Sequence, residues 1–165
     1  MEGFVSVAVV GVRVEMPSNS PIVLVRSPSD VLLPIWIGPH EAASIAMALQ
    51  GVAPPRPLTH DLFVATLRQL GLPLRSVRVT RLQDGVFFGE LVIGRHDEVV
   101  VDCRPSDAIA LALRAEVPVL VADRVLDEAG IPVEEDEERD DTEEVERFRA
   151  FLDHVTPEDF DQDMP

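Results

Sequence analysis

Twice along this chain an apolar, strand-like run leads straight into a segment that begins with proline, a polar residue, an acid and alanine. The first is "LPIWIG" followed by "PHEAASIAM" (Pro39 to Met47). The second is "VVVDCR" followed by "PSDAIALAL" (Pro105 to Leu113). Proline is suited to the first helical position, where a missing N–H is no loss, and an acid in the first turn complements the positive end of the helix dipole. The pattern therefore predicts helices from Pro39 to a stop at Gly51 and from Pro105 to Ala115. Helix starts often converge on such a pattern. Its recurrence after a strand, each time near several further strands, nonetheless suggests an α+β domain of two similar halves (an internal duplication), with helices packed on a mostly antiparallel sheet.

The remaining segments fit that class. Val5 to Glu15 alternates and is rich in valine; Pro21 to Ser27 and Val31 to Gly38 follow as strands, with Pro34 marking an edge or a bulge. "VAPPRPL" is a stiff connector, since its prolines lack backbone donors. Thr59 reads as the N-cap of a helix carrying Leu62, Phe63, Leu67 and Leu70 as its apolar stripe, ending at Gly71. Strands over Leu74 to Leu82 and Val86 to Gly94 are joined by "QDG", a strong hairpin signal, and Glu98 to Cys103 forms a third. A short strand "VPVLVA" and a short helix "DRVLDEAG" follow the second Pro-x-acid-Ala helix.

Apolar residues make up 46% of the 165, enough for one domain with a real core. No apolar run approaches the ~20 residues of a membrane span, and the N-terminal segment reads as a strand rather than a signal peptide. One cysteine, Cys103, allows neither an internal disulfide nor a cysteine metal cluster. A cytoplasmic protein is the simple expectation. The charge divides the chain: residues 1–130 hold 15 acids and 11 arginines, whereas 131–165 hold 15 acids and 3 arginines. The expected organisation is a domain over 1–130 and an acidic linker with a short amphipathic helix ("EEVERFRAFLDHV") over 131–165. Every cation is arginine, the better fork for carboxylates and phosphates.

Candidate functional residues gather at the helix starts. Arg104 lies where a cation is disfavoured by the dipole, so an acid such as Asp107 or Glu41, or a bound phosphate, must offset it. His60 and Asp61 can carry protons or bind metal, or simply cap their helix; as neighbours on a helix they cannot point the same way. Arg56, in the rigid loop, is a natural anion contact. There is no Gly-rich phosphate loop and no Ser-His-Asp grouping in a recognisable motif. A net charge of −16 opposes nucleic-acid binding, no basic stripe interleaved with aromatics is visible, and the only tryptophan, Trp36, lies in a core-like strand.

The segments "LPIWIGPHEAASIAMAL", "PPRPLTHDL", "DGVFFGELVI" and "VDCRPSDAIALALR", in that order and followed by "VPVLVADRVLDEAG", closely resemble the bifunctional nuclease (BFN) domain family of bacteria and plants. The acidic end resembles the tail of actinobacterial members. The resemblance implies a duplicated α+β fold and hydrolysis of phosphodiester bonds in RNA and DNA. The family's motif residues fall on Glu41, Arg56, Pro57, Thr59, His60, Asp61, Arg104, Pro105, Ser106 and Asp107. For such a nuclease Glu41, Asp61 and Asp107 would hold Mg²⁺ or Mn²⁺ if the helix starts converge, His60 would be the general base, and Arg56 or Arg104 would hold the phosphate of a transiently bound nucleic acid. The alternative is a non-enzymatic, homodimeric binding or regulatory module in which the same residues cap helices. The two differ in whether the acids share a cleft or each serves a local cap.

Overall fold

The computed structural model describes residues 3–133. The proposed C-terminal amphipathic helix lies outside the described residues. Eight strands and four helices follow in the order β1 (Phe4–Glu15), β2 (Ser20–Arg26), β3 (Val31–Trp36), α1 (Pro39–Leu49), α2 (Thr59–Gln69), β4 (Leu74–Gln83), β5 (Val86–Ile93), β6 (Val99–Cys103), α3 (Pro105–Ala115), β7 (Val119–Ala122), α4 (Asp123–Ala129) and β8 (Ile131–Pro132). The strands form one sheet, ordered β6-β5-β4-β7-β1-β2-β3-β8. Its one parallel pair is β4 with β7; the others are antiparallel. The α+β expectation holds.

Local chemistry explains most boundaries. Asp84 and Gly85 both take positive φ, as a two-residue turn between right-twisted strands requires, and they close the β4–β5 hairpin. Pro34 pairs with Leu24 on one side, while β8 covers β3 only at Val31 and Leu32, so the proline sits on an open edge. The chain does not leave the sheet at Gly130: Ile131 and Pro132, read as the start of the linker, add the edge strand β8. Helix α2 begins one residue sooner than Thr59 would make it, with Leu58 at the N-cap.

Inward-facing strand residues Val23, Val25, Leu33, Ile35, Val77, Val79, Leu91 and Val121 share one core with Ile45, Val64, Ile109 and Val125 from the four helices. Helix α3 is its centre and packs on α1, α2, β4 and β5. Seven of its eleven residues are buried, and three of those, Ala108, Ala110 and Ala112, are small enough to let neighbouring backbones come close. Among the helices, α2 packs mainly on α3. Its buried stripe is consequently narrow, Val64 with Leu67 behind it, and Leu62, Phe63 and Leu70 are exposed rather than forming an inner face. His60 precedes Val64 and Leu67 at i, i+4 and i+7 spacing, so a histidine occupies the stripe position nearest the start of the helix.

Trp36 is also not a core residue. It is 56% exposed, and its Nε1 donates to Glu15 Oε2 at 2.9 Å across the sheet. Strand alternation places it on the face opposite Ile35, which is buried.

Removing the side chain of Ile109, fully buried at the centre of α3, should cost about 2–5 kcal/mol as Ile109→Ala. The exposed Leu62→Ala should stay within about 0.5 kcal/mol of the parent. Urea unfolding of both variants measures the contrast.

Candidate active site

The two Pro-x-acid-Ala helices meet at their starts. Helices α1 and α3 pack against each other, each with proline in its first turn and one acid there, Glu41 or Asp107. Arg104, the N-cap residue of α3, bridges the two acids: its Nε donates to Asp107 Oδ2 at 2.8 Å and its Nη1 lies 2.9 Å from Glu41 Oε1. The dipole penalty on a cation at this position is thus offset by two carboxylates at once. The Arg104 side chain is still 68% exposed.

From α2, His60 completes the group. Its Nε2 lies 2.9 Å from Asp107 Oδ1, and its Nδ1 lies 2.8 Å from Ser44 Oγ. An ionised carboxylate only accepts hydrogen bonds, so in the neutral imidazole Nε2 carries the proton and Nδ1 accepts from the serine hydroxyl. Ser44 stands one turn beyond Glu41 on the same face of α1. The hydrogen bonds therefore run from Ser44 through His60, Asp107 and Arg104 to Glu41, and return to the helix they left. All five side chains line one groove of about 650 Å³, together with Met47, Pro57 and Leu58. A Ser-His-Asp contact, which no sequence motif announces, is present in the fold.

Asp61 points away, as its adjacency to His60 requires. It takes the Leu58 N–H at 2.9 Å and the Arg114 Nε at 2.7 Å. Arg114 is nearly buried and also donates to the carbonyls of Ala110 and Ser44, so it ties α3 to α1 and α2 directly behind the histidine. Arg56 is exposed on the proline-rich loop and stands outside this network. Pro57 and Thr59 line the groove wall. Ser106 is buried beside a second groove of about 560 Å³, which also has Trp36, Phe87, Pro105 and Arg104 in its lining. Arg104 thus belongs to both grooves.

Among the described residues, no group of three or more His, Cys, Asp or Glu side chains is placed to hold a metal ion. The expected set of Glu41, Asp61 and Asp107 does not converge: Asp61 is held by Arg114, and the cation of Arg104 stands between the other two. Nor are the acids only local caps: Asp61 takes the N–H of Leu58 at its own helix start, yet each acid also has a partner from another element. Cys103, just before Arg104, is no nucleophile. Burial, with the nearby carboxylates of Asp107, Asp102 and Glu90, pushes its thiol up to about 12.

Burial by itself would raise the pKa of Asp107, but the hydrogen bonds from His60 and Arg104 outweigh it and hold the carboxyl below its ordinary value. A carboxylate of depressed pKa stabilises the fold above its unfolded pKa of about 4, and that contribution is lost as pH falls through the folded value. Urea midpoints measured from pH 7 to pH 2 should therefore fall more steeply below about pH 4 in the parent than in Asp107→Asn. Arg114→Met should cost on the order of 1–3 kcal/mol at pH 7. That is below the 3–5 typical of fully buried pairs, because Asp61 remains partly in water.

Comparison with known proteins agrees with this architecture. The family model described as the bifunctional nuclease domain matches residues 22–134. An uncharacterized protein of Mycobacterium tuberculosis is 51% identical over 162 residues, covering 93% of this chain and 96% of that protein. Bifunctional nuclease 1 of Oryza sativa subsp. indica is 29% identical over 129 residues, 76% of this chain but 39% of the plant protein. Bifunctional nuclease 2 of Arabidopsis thaliana is 29% identical over 109 residues, 64% of this chain and 33% of its own length. Among the described residues no helix is long and apolar enough to cross a membrane. With the family model matched over residues 22–134, this chain belongs to the bifunctional nuclease domain family.

Proposed function

We propose that this protein is a nuclease that hydrolyses phosphodiester bonds of RNA and DNA in the groove between α1, α2 and α3. The observation that carries the reading is Arg104, held by two carboxylates yet still largely exposed to the groove. Its Nε and Nη1 are engaged, which leaves Nη2 for a phosphate oxygen. The starts of α1 and α3 on either side add positive potential to the same place. Asp107 holds the His60 ring in one tautomer and stabilises the imidazolium that forms when Nδ1 takes a proton from an attacking hydroxyl. His60 then returns that proton to the departing alkoxide. Arg104 stabilises the charge that gathers on the phosphoryl oxygens.

One feature favours nucleic acid over a smaller phosphodiester. Trp36, exposed at the second groove, supplies a flat apolar surface beside the phosphate anchor.

The test is cleavage of labelled single-stranded RNA and DNA by rigorously purified protein, with and without chelator. Arg104→Lys keeps the charge and loses the fork, so kcat/KM should fall about 100-fold. His60→Gln should lower kcat by a similar factor or more, about 10²–10⁴. The thermal midpoint of Arg104→Lys should move by only a few degrees, given the exposure of its head. Full activity in both variants would overturn the reading. Complete loss of activity with chelator would replace it with a metal-borne mechanism.

A further inference from the structure

We infer that Ser44 is a nucleophile, activated by His60 and Asp107, that takes the phosphoryl group of the substrate onto its own oxygen. The inference rests on the nuclease reading for its substrate, a phosphodiester, but on separate geometry for its chemistry. The Ser44 hydroxyl is the group hydrogen-bonded to His60 Nδ1, at 2.8 Å, and His60 Nε2 is in turn held by Asp107 at 2.9 Å. These are the relations of nucleophile to base and of base to orienting acid that mark an activated serine; here the two ring nitrogens exchange their usual roles. The lone pair that could deprotonate a water is thus already directed at Ser44.

Position supports the same role. Ser44 lines the groove and follows Glu41 by one helical turn, and Glu41 fixes Nη1 of Arg104. A helical turn spans about 5.4 Å. Arg104 and Ser44 line the same groove, so a phosphate oxygen accepting from Arg104 brings its phosphorus into the groove that Ser44 lines. The backbone carbonyl of Ser44 is fixed by Arg114 Nη2 at 3.1 Å, which holds this turn of α1 in place from behind.

The step balances without a co-reactant other than water. Ser44 Oγ bonds to phosphorus while its proton passes to His60 Nδ1. The bond from phosphorus to the leaving alkoxide oxygen breaks, and that oxygen takes the proton from His60. Water then attacks the seryl phosphodiester, its proton goes to His60, the Oγ–phosphorus bond breaks, and Ser44 recovers its proton.

The full chain should be treated with an alkyl fluorophosphonate, which forms an Oγ–phosphorus bond and expels fluoride. Peptide mass spectrometry should find the label on Ser44. Labelling should vanish in Ser44→Ala and slow about 100-fold in His60→Gln. In parallel, bis(p-nitrophenyl) phosphate should give a burst of p-nitrophenol equal to the enzyme concentration in the parent, and neither burst nor turnover in Ser44→Ala. Absence of label on Ser44 in the native parent protein overturns the inference whether or not the variants fold. So does wild-type turnover by Ser44→Ala, which would leave the nuclease reading standing with water as nucleophile. Label on Ser44 without cleavage of any oligonucleotide by the parent would keep the activated serine and remove nucleic acid as its substrate.

Discussion

The site depends on one carboxylate holding two partners. Asp107 gives one oxygen to His60 and the other to Arg104, and these come from a different helix and from the end of a strand. Because Asp107 opens the central helix of the core, it fixes both partners relative to the most buried helix among the described residues. It also sets the histidine tautomer and keeps the arginine at a helix start where the dipole alone would repel it. An apolar residue of the same size here would leave α1, α2 and α3 packed and tied by Arg114, but with His60 and Arg104 no longer joined.

This arrangement also lets an acidic chain present a cation to the substrate proposed for it. The net charge describes the whole surface, whereas a phosphate meets local potential. Glu41 and Asp107 neutralise part of Arg104, yet they also point it, and the exposed remainder of the guanidinium faces a groove flanked by two helix N-termini. Arg114 does the opposite work. It is nearly buried, donates to Asp61 and to two backbone carbonyls, and holds the three helices together behind the groove. Two arginines of one helix region thus divide into a structural and a presenting role according to burial.

How far the site could be read from the chain varies by residue. The link of Arg104 with Glu41 and Asp107 was legible, since a cation at a helix start demands compensation. The separation of His60 from Asp61 was legible too, because neighbouring helical residues diverge by about 100°. The outer leucines of α2 misled, because they match helical spacing as well as an inner stripe would; a stripe begun from Val64 and Leu67 leads back to His60. Ser44 had only its i+3 distance from Glu41 as a signal. Arg114 had none, as an arginine in the last helical turn is ordinary dipole chemistry. Trp36 was misplaced because alternation reveals that a strand has two faces, but not which of them the helices cover.

Local preference and periodicity determined the kind and order of nearly every element, from the valine-rich strands to the Asp-Gly turn and the proline-started helices. These are properties of a few consecutive residues, and water imposes them wherever the segment lies. Only the tertiary structure decided that the two helix starts meet, that α2 brings a histidine to them, and that a serine in mid-helix touches that histidine. The contacts join residues 16, 47 and 63 positions apart. Such contacts arise from packing one shared core, where small alanines set how closely α3 approaches its neighbours, and no local rule encodes that distance.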